Sequence, residues 1–206
     1  VAMTADIGYI NHLAAVAASV TLGRGFTTVR DMGGPSFGLK KAIDEKVIEG
    51  PRIFPSGGSI SQTSGHGDFR PATAVPENPG TPLSYMERLG FYSIADGVPA
   101  VLKRTRETLR QGASQIKVMA GGGVASDFDP LDVTQYTFEE LKAAVDAAGA
   151  WNTYVTVHAY TPKAMQMAIK AGVKSIEHGN LMDEKTAKLI AKKGVWLCLQ
   201  PFLDDE

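Results

Sequence analysis

Two kinds of hydrophobic pattern alternate along this chain. Short runs rich in Val, Ile, Thr and aromatic residues are apolar on both faces and predict buried strands. The segments between them carry apolar residues at helical spacing. This alternation is typical of a parallel sheet covered by helices. The predicted strands span residues 26–31, 52–56, 114–120, 153–160, 173–178 and 195–202.

Glycines and capping residues mark the ends of the intervening helices. A glycine follows a helical pattern and precedes a strand four times, at Gly25, Gly112, Gly172 and Gly194. Helices are predicted over residues 11–22 and from starts at Thr137, Thr161 and Asp183. Six strands are fewer than the eight of a (β/α)8 TIM barrel of about 250 residues. The predicted fold is therefore α/β, an incomplete barrel domain over residues 1–206.

One long segment, residues 57–82, interrupts this rhythm. It is crowded with Gly, Pro, Ser, Thr and Asn, and it contains His66. Irregular loops of this length in compact domains are usually functional, so an active-site loop is expected here. A second irregular segment begins at Gly121-Gly-Gly123. It lacks the Lys-Ser/Thr pair of a phosphate-binding loop, which disfavours that function.

Three predicted strands each deliver one candidate metal ligand near their carboxyl ends. These ligands are Lys117, His158 and His178. The carboxyl ends of parallel barrel strands meet at one rim, where active sites form. Each residue alone is more simply a packed histidine or a solvent-seeking lysine. Their occurrence on successive βα units favours a site.

Strand alternation gives these side chains a direction. If His158 faces the barrel interior, Thr156 and Tyr160 do so too. The same alternation places His178 on the face opposite to Glu177. Neutral histidine nitrogens are good zinc ligands.

Lysine needs a chemical change before it can bind a metal. An ammonium group has no lone pair, and burial lowers its pKa. The neutral amine can react with carbon dioxide to give a carbamate, a carboxylate-like anion able to bridge two metal ions. We hypothesise this modification at Lys117 because the rest of its strand is apolar.

Composition narrows the classes of partner. The chain has 206 residues, 44% hydrophobic and 21% charged, with a formal net charge of −1. There is no basic field for nucleic acid or for an anionic membrane, and no apolar run approaches the roughly 20 residues of a membrane span. The single cysteine, Cys198, excludes an intrachain disulfide. Localisation stays open between cytoplasmic and exported.

The remaining candidates have simpler explanations. His12 is expected at the surface, and Cys198 is expected to pack in an apolar run. Three aspartates are expected in a solvated loop because they lack the spacing of a calcium loop: Asp127, Asp129 and Asp132. Packing positions are expected for Trp151, Met165, Met167 and Trp196.

Five segments in this order resemble the metal-dependent amidohydrolase superfamily, and in particular its imidazolonepropionase-like branch with Xaa-Pro dipeptidases and arginine or lysine carboxypeptidases. They are Gly25-Phe-Thr-Thr-Val-Arg-Asp31, Ser64-Gly-His-Gly-Asp68, Ile116-Lys-Val-Met-Ala-Gly-Gly-Gly-Val-Ala-Ser126, Val157-His-Ala-Tyr160 and Ser175-Ile-Glu-His-Gly179. The resemblance covers nearly the whole chain.

The resemblance implies a (β/α)8 barrel with a binuclear zinc centre. Lys117 matches the carboxylated lysine that bridges the metals, and His158 and His178 match histidines of the second metal. His66 matches a loop histidine that polarises the scissile carbonyl, and Tyr160 matches a tyrosine that holds a substrate carboxylate. A metal-bridging hydroxide would attack the carbonyl.

Two family features have no counterpart in the sequence. No two histidines stand two residues apart, so the first-strand His-x-His pair is absent, and so is the aspartate of the last strand. Asp204 and Asp205 follow a strand that matches the seventh. We therefore expect truncation at both ends, with the first and eighth strands outside Val1 to Glu206.

The expected function is zinc-dependent cleavage of an amide or peptide C–N bond in a small substrate with a free carboxylate, such as a dipeptide or an N-acyl amino acid. Two alternatives stay open. One is a cyclic amidase or deaminase of the same superfamily, and the other is an inactive barrel fragment with an incomplete metal site. The expected partner is a small molecule or dipeptide, and a homo-oligomer stays open.

Overall fold

Parallel strands connected by helices account for most of the chain. The computed structural model describes residues 4–200 apart from positions 75, 77 and 79. The strands are β1 Thr28–Asp31, β2 Arg52–Pro55, β3 Ser59–Ser61, β4 Tyr92–Ile94, β5 Ile116–Met119, β6 Val155–Ala159, β7 Ser175–His178 and β8 Trp196–Cys198. The helices are α1 Ile7–Gly23, α2 Phe37–Asp44, α3 Tyr85–Arg88, α4 Val98–Arg110, α5 Phe138–Ala150, α6 Pro162–Ala171 and α7 Glu184–Lys193.

The strands form two parallel sheets. β1 pairs with β2, and the larger sheet has the order β4-β3-β5-β6-β7-β8. A backbone hydrogen bond of 2.8 Å from Ser114 to Pro55 connects the two sheets. The predicted parallel α/β fold, an incomplete barrel, is confirmed. All six predicted strands are present in the described part of the chain, although the last prediction, 195–202, extends beyond the described residues.

Three helices begin at the capping residues that the sequence predicts, whereas α1 begins at Ile7, four residues before its predicted start. Thr137 forms a capping box with Glu140 at the start of α5, and Thr161 and Asp183 accept backbone hydrogen bonds at the starts of α6 and α7. Gly172 and Gly194 end α6 and α7 in the left-handed conformation. None of the helices in the described residues is both long and apolar enough to cross a membrane.

The core lies between the outer face of the large sheet and helices α4 to α7. Its fully buried side chains include Ile60, Ile116, Leu141, Val157, Met165 and Ile176. Because the outward-facing strand residues are apolar, the polar residues that alternate with them face the barrel interior. This division positions the candidate site.

Three predicted packing residues are instead exposed. Trp196 and Cys198 lie on β8, the outer strand of the described sheet, and Trp196 is 78% exposed. Trp151 follows the last turn of α5 and is 61% exposed. Apolar character alone indicated burial, but a side chain is buried only where a neighbouring element covers it. His12 is exposed on α1, as predicted, and Met165 is fully buried.

Candidate metal centre

Parallel pairing brings the carboxyl ends of β5, β6 and β7 to one place. Met119 is opposite His158, and Ala159 is opposite His178. The ring centroids of His158 and His178 are 4.8 Å apart, and the Tyr160 ring lies 4.7 Å from that of His158. Two of the residues predicted from separate strands, His158 and His178, therefore form one cluster, and the tyrosine joins it.

The backbone at the end of β7 departs from strand alternation. His178 has a φ of 78°, in the left-handed region that side-chain-bearing residues rarely adopt. Its ring reaches His158, while Glu177 accepts a hydrogen bond from the inward-facing Thr156. The prediction that His178 and Glu177 face opposite sides is therefore wrong. A regular strand would turn one of them away, and the left-handed residue directs both inward.

Lys117 is buried beneath the histidines. The residue is only 4% exposed. Its ammonium group makes no hydrogen bond or ion pair with the described residues. Burial lowers the pKa of Lys117 to about 8, although the negative charge of Glu177 opposes the shift. A substantial neutral fraction near neutral pH makes this amine unusually nucleophilic for a lysine.

Both strand histidines are held in their neutral form. Burial, reinforced by the nearby His66, lowers the pKa of His158 to about 2. Burial and the positive charge of Lys117 lower the pKa of His178 to about 4. The Nε2 atom of His158 donates to the carbonyl of Gly122 at 2.8 Å, which leaves its Nδ1 without the proton. Neutral rings with a fixed tautomer are the form that binds metal.

A polar network that the sequence analysis missed lies below this cluster. The Oε1 atom of Glu177 accepts hydrogen bonds from Thr156 at 2.6 Å, Ser175 at 2.9 Å and Arg30 at 3.2 Å. Burial would raise the pKa of Glu177, but the hydrogen bond from Thr156 and the charges of Arg30 and Lys117 bring it below its ordinary value. The carboxylate is thus ionised and compensated. The sequence offered one indication of this network, because Thr156 lies two residues before His158 on the same strand and therefore shares its inward face.

His66 enters the cluster from the loop after β3. Its ring stacks on His158 with centroids 4.1 Å apart. Burial lowers the pKa of His66, although the carboxylate of Asp129 opposes the shift. Gly123 also lies against this ring, and an added Cβ there would be 2.1 Å from Cε1 of His66. The glycines at 121–123 therefore allow close packing of the loop on His66.

Asp129 is not in a solvated loop, as the sequence analysis expected. It is 5% exposed and accepts hydrogen bonds from His66 and from the backbone of Gly123. The spacing of the three aspartates bears only on a calcium loop, and it gave no information on tertiary partners. Both partners come from segments with no regular secondary structure, whose folding the sequence pattern does not predict.

The donor set fits part of a metal centre. The Nδ1 atom of His178 is buried and has no hydrogen-bond partner in the described part of the chain, so it is available as a ligand atom. Within residues 4–200, excluding the three undescribed positions, no group of three or more His, Cys, Asp or Glu side chains could hold a metal ion. Lys117 would need to become a carbamate to join His158 and His178 as a third ligand.

A sizeable cavity lies elsewhere in the fold. It measures about 600 Å³ and is enclosed by α1, α2, β1 and β2. None of the cluster residues lines it. Side-chain chemistry therefore locates the candidate centre better than cavity size does.

Comparisons with known proteins agree with this geometry. The sequence model of a family described as the amidohydrolase family matches residues 6–202. Ochratoxinase from Aspergillus niger is 38% identical over 198 residues, which is 91% of this chain and 41% of that protein. A solved prolidase complexed with N-methylphosphonate-L-proline is 45% identical, with a TM-score of 0.89 over 95% of this chain and 47% of the other.

A solved Xaa-Pro dipeptidase with bound methionine in the active site is also similar. It is 35% identical, with a TM-score of 0.82 over 95% of this chain and 47% of that chain. The chain thus spans less than half the length of each of these relatives.

Proposed function

The chain belongs to the amidohydrolase family, and we propose that it is part of a zinc-dependent hydrolase of amide or peptide C–N bonds. It would supply the metal ligands that lie at the carboxyl ends of β5, β6 and β7. The substrate would be a small molecule with a free carboxylate, a dipeptide or an N-acyl amino acid. The observation that carries this proposal is the cluster of Lys117, His158 and His178, in which burial lowers the pKa of every member.

Lys117 would enter the centre as a carbamate. Its neutral amine would form a bond to the carbon of carbon dioxide and release one proton, which gives an anion with two oxygen ligands. His158 would bind through Nδ1, because Nε2 is used by Gly122. His178 would use its unpartnered Nδ1. A metal bound by these residues would supply Lewis-acid chemistry at the substrate amide.

Two further side chains would bind the substrate. Tyr160 lies next to both strand histidines, with centroids 4.7 and 5.5 Å away, and its hydroxyl would hold the substrate carboxylate. His66, stacked on His158, would contact the scissile amide. The similar Xaa-Pro dipeptidase and prolidase support a dipeptide-like substrate.

Metal content and hydrolysis test the proposal together. The chain would be purified without chelators in bicarbonate buffer, zinc would be measured by elemental analysis, and Xaa-Pro dipeptides, N-acyl amino acids and matched neutral amides would be assayed. A stoichiometric amount of zinc per chain, together with hydrolysis of the carboxylate substrates, would support the proposed function. Preference for neutral cyclic amides would instead indicate the cyclic amidase or deaminase.

A non-catalytic alternative is favoured by one observation, the shortage of ligands. The described residues supply two histidines and one lysine, and the chain spans less than half of its relatives. Near-zero zinc and no hydrolysis under the same conditions would identify the 206 residues as a scaffold without independent activity.

The role of Tyr160 has its own test in active protein. Tyr160→Phe removes only the hydroxyl, so KM for carboxylate substrates is expected to rise about tenfold or more, while KM for neutral amides changes little. Tyr9→Phe, at an exposed position on α1, is the matched control. Equal changes for both substrate classes would exclude the carboxylate contact.

A further inference from the structure

Asp129 is a buried carboxylate committed to His66. Its side chain is fully buried, and its Oδ2 atom accepts hydrogen bonds from the backbone of Gly123 at 2.8 Å and from Nδ1 of His66 at 3.0 Å. Its Oδ1 atom has no partner among the described residues. Burying an ionised group with so few partners is costly, so the contact with His66 is the feature to explain.

The chemistry of these partners determines where His66 carries its hydrogen. An ionised carboxylate can only accept hydrogen bonds, so Nδ1 of His66 must donate to Asp129. Ser126 Oγ also lies 2.8 Å from Nδ1, and a hydroxyl can either donate or accept. Beside a protonated Nδ1 it can only accept. The neutral ring therefore has its lone pair on Nε2.

We infer that Asp129 is a positioning residue that fixes His66 in the tautomer with hydrogen on Nδ1. Two elements hold the arrangement in place: the N–H of Gly123 orients the carboxylate, and the His158 ring supports one face of the imidazole at 4.1 Å. The neutral ring with hydrogen on Nε2 is excluded.

The role of this tautomer toward a substrate rests on the proposed function. A neutral histidine that polarises a carbonyl must donate from Nε2, and Asp129 prevents that form. His66 would therefore face the substrate either as a neutral acceptor, opposite an O–H or N–H group, or as an imidazolium donor whose charge Asp129 compensates. The neutral donor is the one state that the site cannot offer.

Nitrogen-15 NMR tests the tautomer without substrate or metal. The chain has four histidines, so selective labelling gives four ring systems, and the one lost in His66→Gln belongs to His66. Long-range proton–nitrogen correlations at about pH 8, above the ordinary pKa of histidine, distinguish the two tautomers. In metal-free protein, His66 is expected to show hydrogen on Nδ1.

Three variants separate the partners. In Asp129→Ala the remaining neighbour is Ser126, whose hydroxyl can then donate to Nδ1, so the ring is expected to switch and exchange the shifts of its two nitrogens. Asp129→Asn keeps an oxygen for Gly123 and His66 and is expected to retain the Nδ1 tautomer. Ser126→Ala, the matched control, is expected to retain it as well.

Two results would overturn the inference: hydrogen on Nε2 in the unmodified chain, or an unchanged tautomer in folded Asp129→Ala. If circular dichroism shows that Asp129→Ala is unfolded, the unmodified chain and Asp129→Asn still decide, because loss of the tautomer in Asp129→Asn would mean that the oxygen does not set it. Failure of the proposed function is recorded separately, by zinc content and hydrolysis.

Discussion

Replacing the buried lysine of the candidate centre should stabilise the protein while it removes the site. Lys117 is 4% exposed, and its pKa falls from 10.5 to about 8 on folding. Each unit is about 1.4 kcal/mol, so burial of the charge costs about 3 kcal/mol at neutral pH. Lys117→Met keeps a long apolar side chain. Since Glu177 loses a nearby positive charge, the expected net gain in unfolding free energy is about 2 kcal/mol.

The pH dependence of this gain identifies its cause. The folded pKa lies below the unfolded value, so the penalty is complete below pH 8, where both states hold the proton. Between about pH 8 and 10.5 the unfolded state binds more protons, and the lysine protein gains about 1.4 kcal/mol per pH unit. The advantage of Lys117→Met should therefore shrink by about 2 kcal/mol between pH 7 and 9.5.

Urea unfolding at these two pH values measures the effect. The protein should be free of metal and the buffer free of carbon dioxide, because a carbamate on Lys117 would change the group that is titrated. Lys193→Met on α7 is the matched control, since that lysine is exposed and a change within about 0.5 kcal/mol is expected. A less stable Lys117→Met at pH 7, or a gain that does not depend on pH, would refute the reasoning.

Two further predictions concern the ring cluster. Gly123→Ala places a Cβ 2.1 Å from the His66 ring and should cost about 2–4 kcal/mol of unfolding free energy, because His66 must leave Asp129. Gly149→Ala in α5, where an added Cβ meets nothing within 4 Å, should instead stabilise by about 0.5–1 kcal/mol in the same urea titration, and equal effects would contradict the packing argument. Because the pKa of His158 is lowered to about 2, the metal-free protein should lose about 2 kcal/mol through this residue as the pH falls from 7.5 to 5, where only the unfolded state takes up the proton. His158→Gln should remove that increment while His12→Gln at the surface keeps it; an unchanged increment in His158→Gln would show that His158 is not its source.

The sequence predicted the features that local patterns determine. Apolar runs located six strands, and the capping residues Thr137, Thr161 and Asp183 located three helix starts. Parallel topology then placed the strand ends together, so the meeting of His158 and His178 followed from the order of elements alone. Each of these inferences depends on residues close in sequence or on one rule of connection.

The features that were missed depend on single tertiary contacts. β3 and β4 have only three residues each, which is too short for a recognisable hydrophobic pattern. β3 also lies within the segment predicted to be a loop. The burial of Asp129 depends on His66, which is 63 positions away. The inward direction of Glu177 depends on one left-handed residue, His178. No periodicity reports such events, because each is decided by the partner rather than by the neighbours in sequence.

Burial lowers the pKa of all three candidate ligands, and this shift would favour the binding of a cation. Lys117, His158 and His178 are each pushed toward the unprotonated state by loss of water, and the charge of Lys117 adds to the shift of both histidines. Two of these groups are therefore already unprotonated near neutral pH, and the third is partly so, which reduces the number of protons that a metal must displace. A chain selected only for stability would replace Lys117 with an apolar residue. The proposed carbamate would offset the cost of about 3 kcal/mol of burying Lys117, because it would replace the buried ammonium with an anion that could bind a cation.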